Sequence, residues 1–156
     1  MSADVREGQQ APDFELATDG GGSVRLSGLR GHPAVVYFYP KDDTRGCTLE
    51  ARDFTQRRPD FDAIGARIVG ISADSVSDHD QFKAKHSLDL TLAADEGRSA
   101  IEAYGVWVEK ERDGRRFMGI ERATFLIDAE GRIARVWRNV DVAGHADEVL
   151  AAAKSL

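Results

Sequence analysis

Cysteine is nearly missing from this chain: Cys47 is the only one in 156 residues. That excludes an internal disulfide, a Cys-x-x-Cys redox pair and a cysteine zinc cluster, and it fits a reducing compartment. Any redox chemistry must be performed by one sulfur. Long apolar runs are also missing, so the sequence offers no membrane span. Met1 to Asp13 carries Asp, Arg, Glu and two Gln without an apolar core. It reads as neither a secretory signal nor a transit peptide, which makes the cytoplasm the expected location. Positive charge is in the minority. A formal net charge of -6 repels phosphate backbones, and no basic stripe interleaved with aromatics reverses this locally, so nucleic acid is not an expected partner. Repeats, low-complexity tracts and Pro/Ser linkers are absent too. Residues 1–156 therefore read as one domain, long enough to bury about two-thirds of its unfolded surface without a metal or disulfide.

What is present is an ordinary globular balance, 42% hydrophobic and 31% charged. Phe14 to Ala17 and Ser23 to Leu26 flank Asp19-Gly20-Gly21-Gly22, which predicts an N-terminal hairpin. Ala34-Val35-Val36-Tyr37-Phe38 is apolar on both faces and β-branched or aromatic, as a central strand covered by helices would be. A helix is predicted from Cys47 to about Arg57 and a strand over Ile68 to Ile71, giving a parallel pair with a right-handed crossover. Asp74 or Ser75 could cap a helix reaching about His86, followed by a short strand over Leu90 to Ala93 and a helical turn over Ser99 to Tyr104. Ala123 to Ile127 and Ile133 to Trp137 surround Asp128-Ala129-Glu130-Gly131 as a second hairpin, and Val142 to Leu156 predicts a closing amphipathic helix. Together these give a mixed sheet between helices, a three-layer α/β/α domain.

The most informative stretch joins the carboxyl end of the central strand to the helix after it: Tyr37-Phe38-Tyr39-Pro40-Lys41-Asp42-Asp43-Thr44-Arg45-Gly46-Cys47-Thr48-Leu49-Glu50. Open α/β sheets place their sites there. Cys47 falls in the first helical turn, where unpaired N–H groups and the macrodipole favour a thiolate. Thr44, three residues earlier, can share its side of a helical turn and both donate to a thiolate and orient a peroxide. Pro40 ends the strand and can shield the sulfur from bulk water, while Lys41 and Arg45 add positive potential. Taken singly, Thr44 reads as a helix N-cap, Pro40 as a turn former, and Arg122 as an ion-pair partner of Glu121 or Asp128. Without its context Cys47 would read as a small buried hydrophobe.

This Pro-x-x-x-Thr-x-x-Cys spacing resembles the active-site signature of the peroxiredoxins. The likeness extends to Tyr104-Gly105-Val106-Trp107, to Met118 through Asp128, and to Gly144 through Leu150, and it is nearest to the Q-type branch, the bacterioferritin comigratory proteins. The resemblance implies a thioredoxin-like fold with an added N-terminal hairpin and Cys47 as the peroxidatic cysteine. It implies that Thr44 and Arg122 are its hydrogen-bonding partners, that Pro40 shields it, and that Glu50 orients the arginine. Backbone N–H groups at Gly46 and Cys47 are further candidates to stabilise the departing oxygen. Two positions depart from the family pattern. Arg45 stands where a proline is usual, and Arg52 stands where many Q-type members carry a resolving cysteine. The sulfenic acid of Cys47 must then meet a thiol from another molecule: thioredoxin, glutaredoxin or a low-molecular-weight thiol.

The expected activity is thus reduction of hydrogen peroxide and organic hydroperoxides by a monomeric thiol peroxidase that needs no cofactor. The competing reading is a peroxide-responsive sensor or binding module using the same cysteine. Thr44 and Arg122 favour the enzyme, because a sensor needs only an accessible ionised thiol. His79 and His86, seven apart, could share a solvated helix face, and without a partner at ligand spacing no metal is expected. Trp107 and Phe117 either line a peroxide pocket or pack in the core.

Overall fold

In the computed structural model, which describes residues 5–156, the chain is organised around one fully buried strand. The first part of the Met1 to Asp13 reading therefore lies outside the described residues. All five residues of that strand, Ala34–Phe38, are buried. Its alternating side chains feed two cores. Val35 and Tyr37 join Phe54, Phe61, Leu126 and Val149 on one face, and Val36 and Phe38 join Ile71, Ile101, Tyr104 and Phe125 on the other. Apolarity on both faces is what this position requires.

In chain order the strands are β1 (Glu15–Thr18), β2 (Ser23–Arg25), β3 (Ala34–Phe38), β4 (Arg67–Ser72), β5 (Thr91–Ala94), β6 (Trp107–Arg112), β7 (Arg115–Ile120), β8 (Ala123–Ile127) and β9 (Ile133–Trp137). The helices are α1 (Arg45–Ala63), α2 (Val76–His86), α3 (Ser99–Ala103) and α4 (His145–Lys154). A seven-stranded sheet runs β2-β1-β5-β4-β3-β8-β9. Its β3–β4 and β4–β5 pairs are parallel and its other pairs antiparallel. Helices α1, α2 and α4 contribute buried residues to the core containing Val35, and α3 contributes to the opposite one. The result is the mixed-sheet, thioredoxin-like α/β/α arrangement expected, with the β1–β2 hairpin added at its N-terminal side. Among the described residues no helix is long and apolar enough to cross a membrane.

Two differences from the sequence reading, and one choice it left open, have physical causes. Helix α1 starts two residues earlier than predicted and runs to Ala63 instead of stopping near Arg57, passing through Pro59. A proline there removes one helical hydrogen bond, but Phe61 beyond it is fully buried, and burying such a ring is worth about 1.5–3 kcal/mol. Gly65, at φ 73°, then ends the helix, its N–H bonded to the Asp62 carbonyl at 3.0 Å. Second, Ser75 rather than Asp74 caps α2, accepting from the Asp78 N–H at 3.1 Å. Third, β6 and β7 form a separate two-stranded ribbon that the sequence reading left without an element. Glu109, Lys110, Glu111, Arg112, Arg115 and Arg116 conceal the strand pattern, because neither face of the ribbon is apolar throughout. The signal lay in the turn: Asp113 and Gly114 have φ of 53° and 77°, the two positive values that a two-residue hairpin turn needs.

The packing of β3 on β4 leaves no room at Gly70. A Cβ there would sit 2.7 Å from Tyr37 Cζ, and that ring is buried and stacked on Phe54 at 4.9 Å. Gly70→Ala should therefore destabilise the fold by about 1–3 kcal/mol through overpacking. Denaturant unfolding checks this, and a variant as stable as wild type would show that the Tyr37 ring can yield.

Candidate active site

Strand β3 delivers the chain to the site. The Tyr39 N–H still bonds the Ile71 carbonyl at 3.1 Å, but half-buried Pro40 has no N–H to continue the ladder. The backbone then turns through Asp43, at φ 61°, and reaches Thr44 in extended conformation at the N-cap of α1. The first helical bond runs from the Thr48 N–H to the Thr44 carbonyl at 2.8 Å. The amides of Arg45, Gly46 and Cys47 precede it and point toward the helix start. Buried Cys47, Glu50, Ala51 and Phe54 recur at helical spacing on the core face, while Arg45, Leu49 and Arg52 are exposed on the other.

Arg122 arrives from the far side, in the short connection between β7 and β8. One guanidinium nitrogen, Nη2, donates to Cys47 Sγ at 3.3 Å, and the other, Nη1, donates to Glu50 Oε1 at 2.7 Å. Residues distant in sequence thus meet over the first turn of α1. Cys47 is only 2% exposed, yet the guanidinium is against its sulfur. Gly46 makes this approach possible, since a Cβ there would stand 3.1 Å from Arg122 Nη2. That is a steric reason for glycine that the sequence reading, which noted only its amide, did not supply.

The groups are buried, Arg122 only partly, and they are interdependent. Burial, opposed by the charge and hydrogen bond of Arg122, pushes the Glu50 carboxyl up to about 7. Burial also works against the Arg122 charge, but the Glu50 carboxylate and the sulfur outweigh it and hold its proton more firmly than in an ordinary arginine. Glu50 Oε2 and the Tyr37 hydroxyl are buried without a hydrogen-bond partner.

Thr44 differs in one respect from its sequence reading. Its hydroxyl makes no capping bond and donates to the Lys41 carbonyl at 2.7 Å. A hydroxyl has one proton, so Thr44 is not the donor to sulfur that was expected and presents lone pairs instead. Lys110 of β6 was not foreseen. It is half-buried, and burial followed by the neighbouring Arg122 charge lowers its pKa, with Cys47 opposing. Only the β6–β7 ribbon, itself hidden in the sequence, brings it near. Trp107 packs on the core under the Arg98 guanidinium, 4.4 Å from its ring, while Phe117 is exposed. His79 is not on a solvated face: it is fully buried, because its ring bonds Asp42 and a main-chain carbonyl. No group of three or more potential metal ligands occurs among the described residues.

The chain matches the AhpC/TSA family over residues 7–136. It is 47% identical over 152 residues to the peroxiredoxin Bcp of Bacillus subtilis, covering 97% of each chain. Against the peroxiredoxin Bcp of Xanthomonas campestris it is 47% identical over 143 residues, covering 92% of this chain and 89% of the other. Among solved structures, the bacterioferritin comigratory protein of Xanthomonas campestris superposes with a TM-score of 0.90 at 44% identity, over 96% of this chain and 98% of that one. The PrxQ of Xylella fastidiosa, solved as a cysteine-to-serine mutant, gives a TM-score of 0.93 at 36% identity, over 98% of both chains. Agreement in sequence and in backbone over nearly the whole length leads to one conclusion: this chain belongs to the AhpC/TSA family, within its Bcp, or Q-type, peroxiredoxins.

Proposed function

We propose that this peroxiredoxin reduces hydrogen peroxide and organic hydroperoxides with Cys47 alone and is regenerated by a thiol from another molecule. The observation that carries the reading is the Arg122 guanidinium held between Glu50 and the sulfur of the chain's only cysteine. In the first step the thiolate attacks the outer peroxide oxygen. An S–O bond forms, the O–O bond breaks, sulfur loses two electrons, and the departing alkoxide or hydroxide takes up a proton. In the second step an external thiol displaces water from the sulfenic acid to give a mixed disulfide, and a further thiol releases Cys47. Arg52, where a resolving cysteine could stand, supplies no sulfur. The working compartment is then one with a reducing thiol pool, the cytoplasm, and the protein is read as a monomer.

Ionisation alone does not account for fast peroxide chemistry. Fully ionising an ordinary thiol at neutral pH multiplies the reactive species by about ten to thirty. The accompanying loss of basicity gives back roughly one decade, taking sulfur attack as a guide to attack on oxygen. Positioning and charge stabilisation must supply the rest. In this reading Arg122 and the amides of Gly46 and Cys47 donate to the peroxide oxygens, and Thr44, its own proton engaged by Lys41, accepts the hydroperoxide O–H. Pro40 limits water at the sulfur. The burial of Cys47 admits a small hydroperoxide more easily than a bulky thiol, so the second step requires the first turn of α1 to open.

The direct test is peroxide consumption in excess dithiothreitol. Many turnovers are expected from wild type and none from Cys47→Ser, whereas a single equivalent consumed without further turnover would point to a sensor. Thr44→Val and Arg122→Met should each lower the rate constant with peroxide by about a hundredfold or more, the scale on which a misplaced substrate or a lost charge-stabilising donor acts. The thiolate fraction should change far less, as stopped-flow rates beside a thiol titration would read. A loss matched by the loss of thiolate would reject the positioning role.

The Glu50 site also makes a signed pH prediction. An unfolded carboxyl ionises near 4.5, whereas the folded one keeps its proton to about 7. Wild type therefore loses stability as pH rises through that interval, and Glu50→Gln, with no proton to lose, does not. The difference in Tm should shift toward the variant from about pH 4.5 to about 7 and level off above. Parallel Tm curves across that range would refute it.

A further inference from the structure

Behind the loop that carries Thr44 lies a second buried cluster, which the peroxide chemistry described above leaves unused. His79 of α2 is 0% exposed and Asp42 of the loop 9%. The ring Nδ1 lies 2.6 Å from Asp42 Oδ2, and Nε2 lies 3.0 Å from the Ala93 carbonyl oxygen in β5. A carbonyl can only accept, so Nε2 carries a proton, and a carboxylate facing Nδ1 calls for a second. Both carboxylate oxygens of Asp42 accept, Oδ1 taking the Tyr39 hydroxyl at 2.6 Å. Its own N–H donates to Asp74 Oδ2 at 2.8 Å, and that oxygen also accepts from the Ser72 hydroxyl at 2.7 Å.

The polar groups facing the His79 ring are thus Asp42 and Tyr39 from the loop, Asp74 from the β4–α2 turn and the Ala93 carbonyl from β5. Burial works against charge on the ring. The Asp42 hydrogen bond and charge, with smaller help from Ala93 and Asp74, outweigh it and raise the ring above the ordinary 6.5. Helix α2 holds the next loop residue as well. The Asp43 carboxylate takes Lys85 Nζ at 2.6 Å and His86 Nε2 at 2.7 Å, while its backbone sits at φ 61°. One helix therefore grips two successive aspartates, one from within and one from outside. Adjacent to that grip is Lys41, whose carbonyl takes the Thr44 hydroxyl proton at 2.7 Å.

We propose that His79 is a positioning residue for the peroxide step: as a doubly protonated ring it pins Asp42, and through Asp42 the Lys41 carbonyl that aims Thr44 at the bound hydroperoxide. The role rests on the peroxidase reading above, in which Thr44 accepts the peroxide O–H. It is tied to pH with a definite sign. A histidine raised in the folded state contributes fully below its ordinary 6.5 and is lost as pH rises through the folded value. The rate constant for Cys47 oxidation, taken per thiolate, should therefore decline on the alkaline side, where thiol ionisation alone predicts no decline.

His79→Gln offers donors from one amide nitrogen only and cannot serve both Asp42 and Ala93. Its rate constant for Cys47 oxidation should fall about tenfold or more, as a slightly misplaced substrate-binding group requires, with the thiolate fraction nearly constant and the alkaline decline gone. A wild-type rate in a variant whose Tm has dropped would show the cluster to be structural only and overturn the proposal. So would a fall explained by lost thiolate. Nitrogen NMR of the wild-type ring decides independently should the variant fail to fold. Two ring N–H groups on His79 are expected below pH 6.5, and a single one would overturn the proposal. Wild type that consumes no peroxide would defeat the peroxidase reading and the positioning role with it, while leaving the NMR result intact, so the two failures can be told apart.

Discussion

The site depends on one partly buried cation. Arg122 divides its guanidinium between a carboxylate and a sulfur that face each other across the first turn of α1. Removing the arginine would leave the buried Glu50 carboxyl without its partner and drive it further toward the protonated form. Such an arrangement persists only if the scaffold enforces it. Here the enforcement is geometric: α1 is fixed by Ala51, Phe54 and Phe61 in the core, and β8 next to Arg122 is buried throughout and paired to β3. Both partners are thus referenced to the same central strand.

The same constraint explains the small residues and unusual backbone nearby. Gly46 is bare because the guanidinium passes within 3.1 Å of where a Cβ would be. Asp43 adopts a positive φ because the chain must turn from the end of β3 into α1 in a few residues, and α2 supplies the lysine and histidine that hold its carboxylate there. Glu50 carries an orphaned oxygen and a raised pKa, which are costs of keeping an acceptor for Arg122 out of water. A site that must bind a small peroxide and exclude bulk water accepts these local costs in return for fixed donors.

Much of the fold could be read before any coordinates. The boundaries of β3, β8 and β9 were legible to the residue, because largely apolar runs between turn formers have few alternatives. The β6–β7 ribbon was not, because its alternation is of charges, and only the Asp113-Gly114 turn announced it. Helix α1 was drawn too short, because Pro59 outweighs Phe61 in a local reading and the reverse holds once Phe61 is buried. His79 looked like a surface residue for a similar reason: its partners Asp42 and Ala93 are 37 and 14 residues away.

What the sequence by itself determined was the chemistry on offer: one sulfur, placed just after a strand end at the start of a helix, with Thr44, Gly46 and Glu50 at fixed offsets from it. Local spacing settles these because a helical turn allows few arrangements. The tertiary structure alone decided the distances that turn an inventory into a site. Arg122 is 75 residues from Cys47 and reaches it only because β8 lies beside β3. The approach of Lys110 and the burial of His79 were settled in the same way, since each depends on which distant backbone packs alongside, and no local pattern records that.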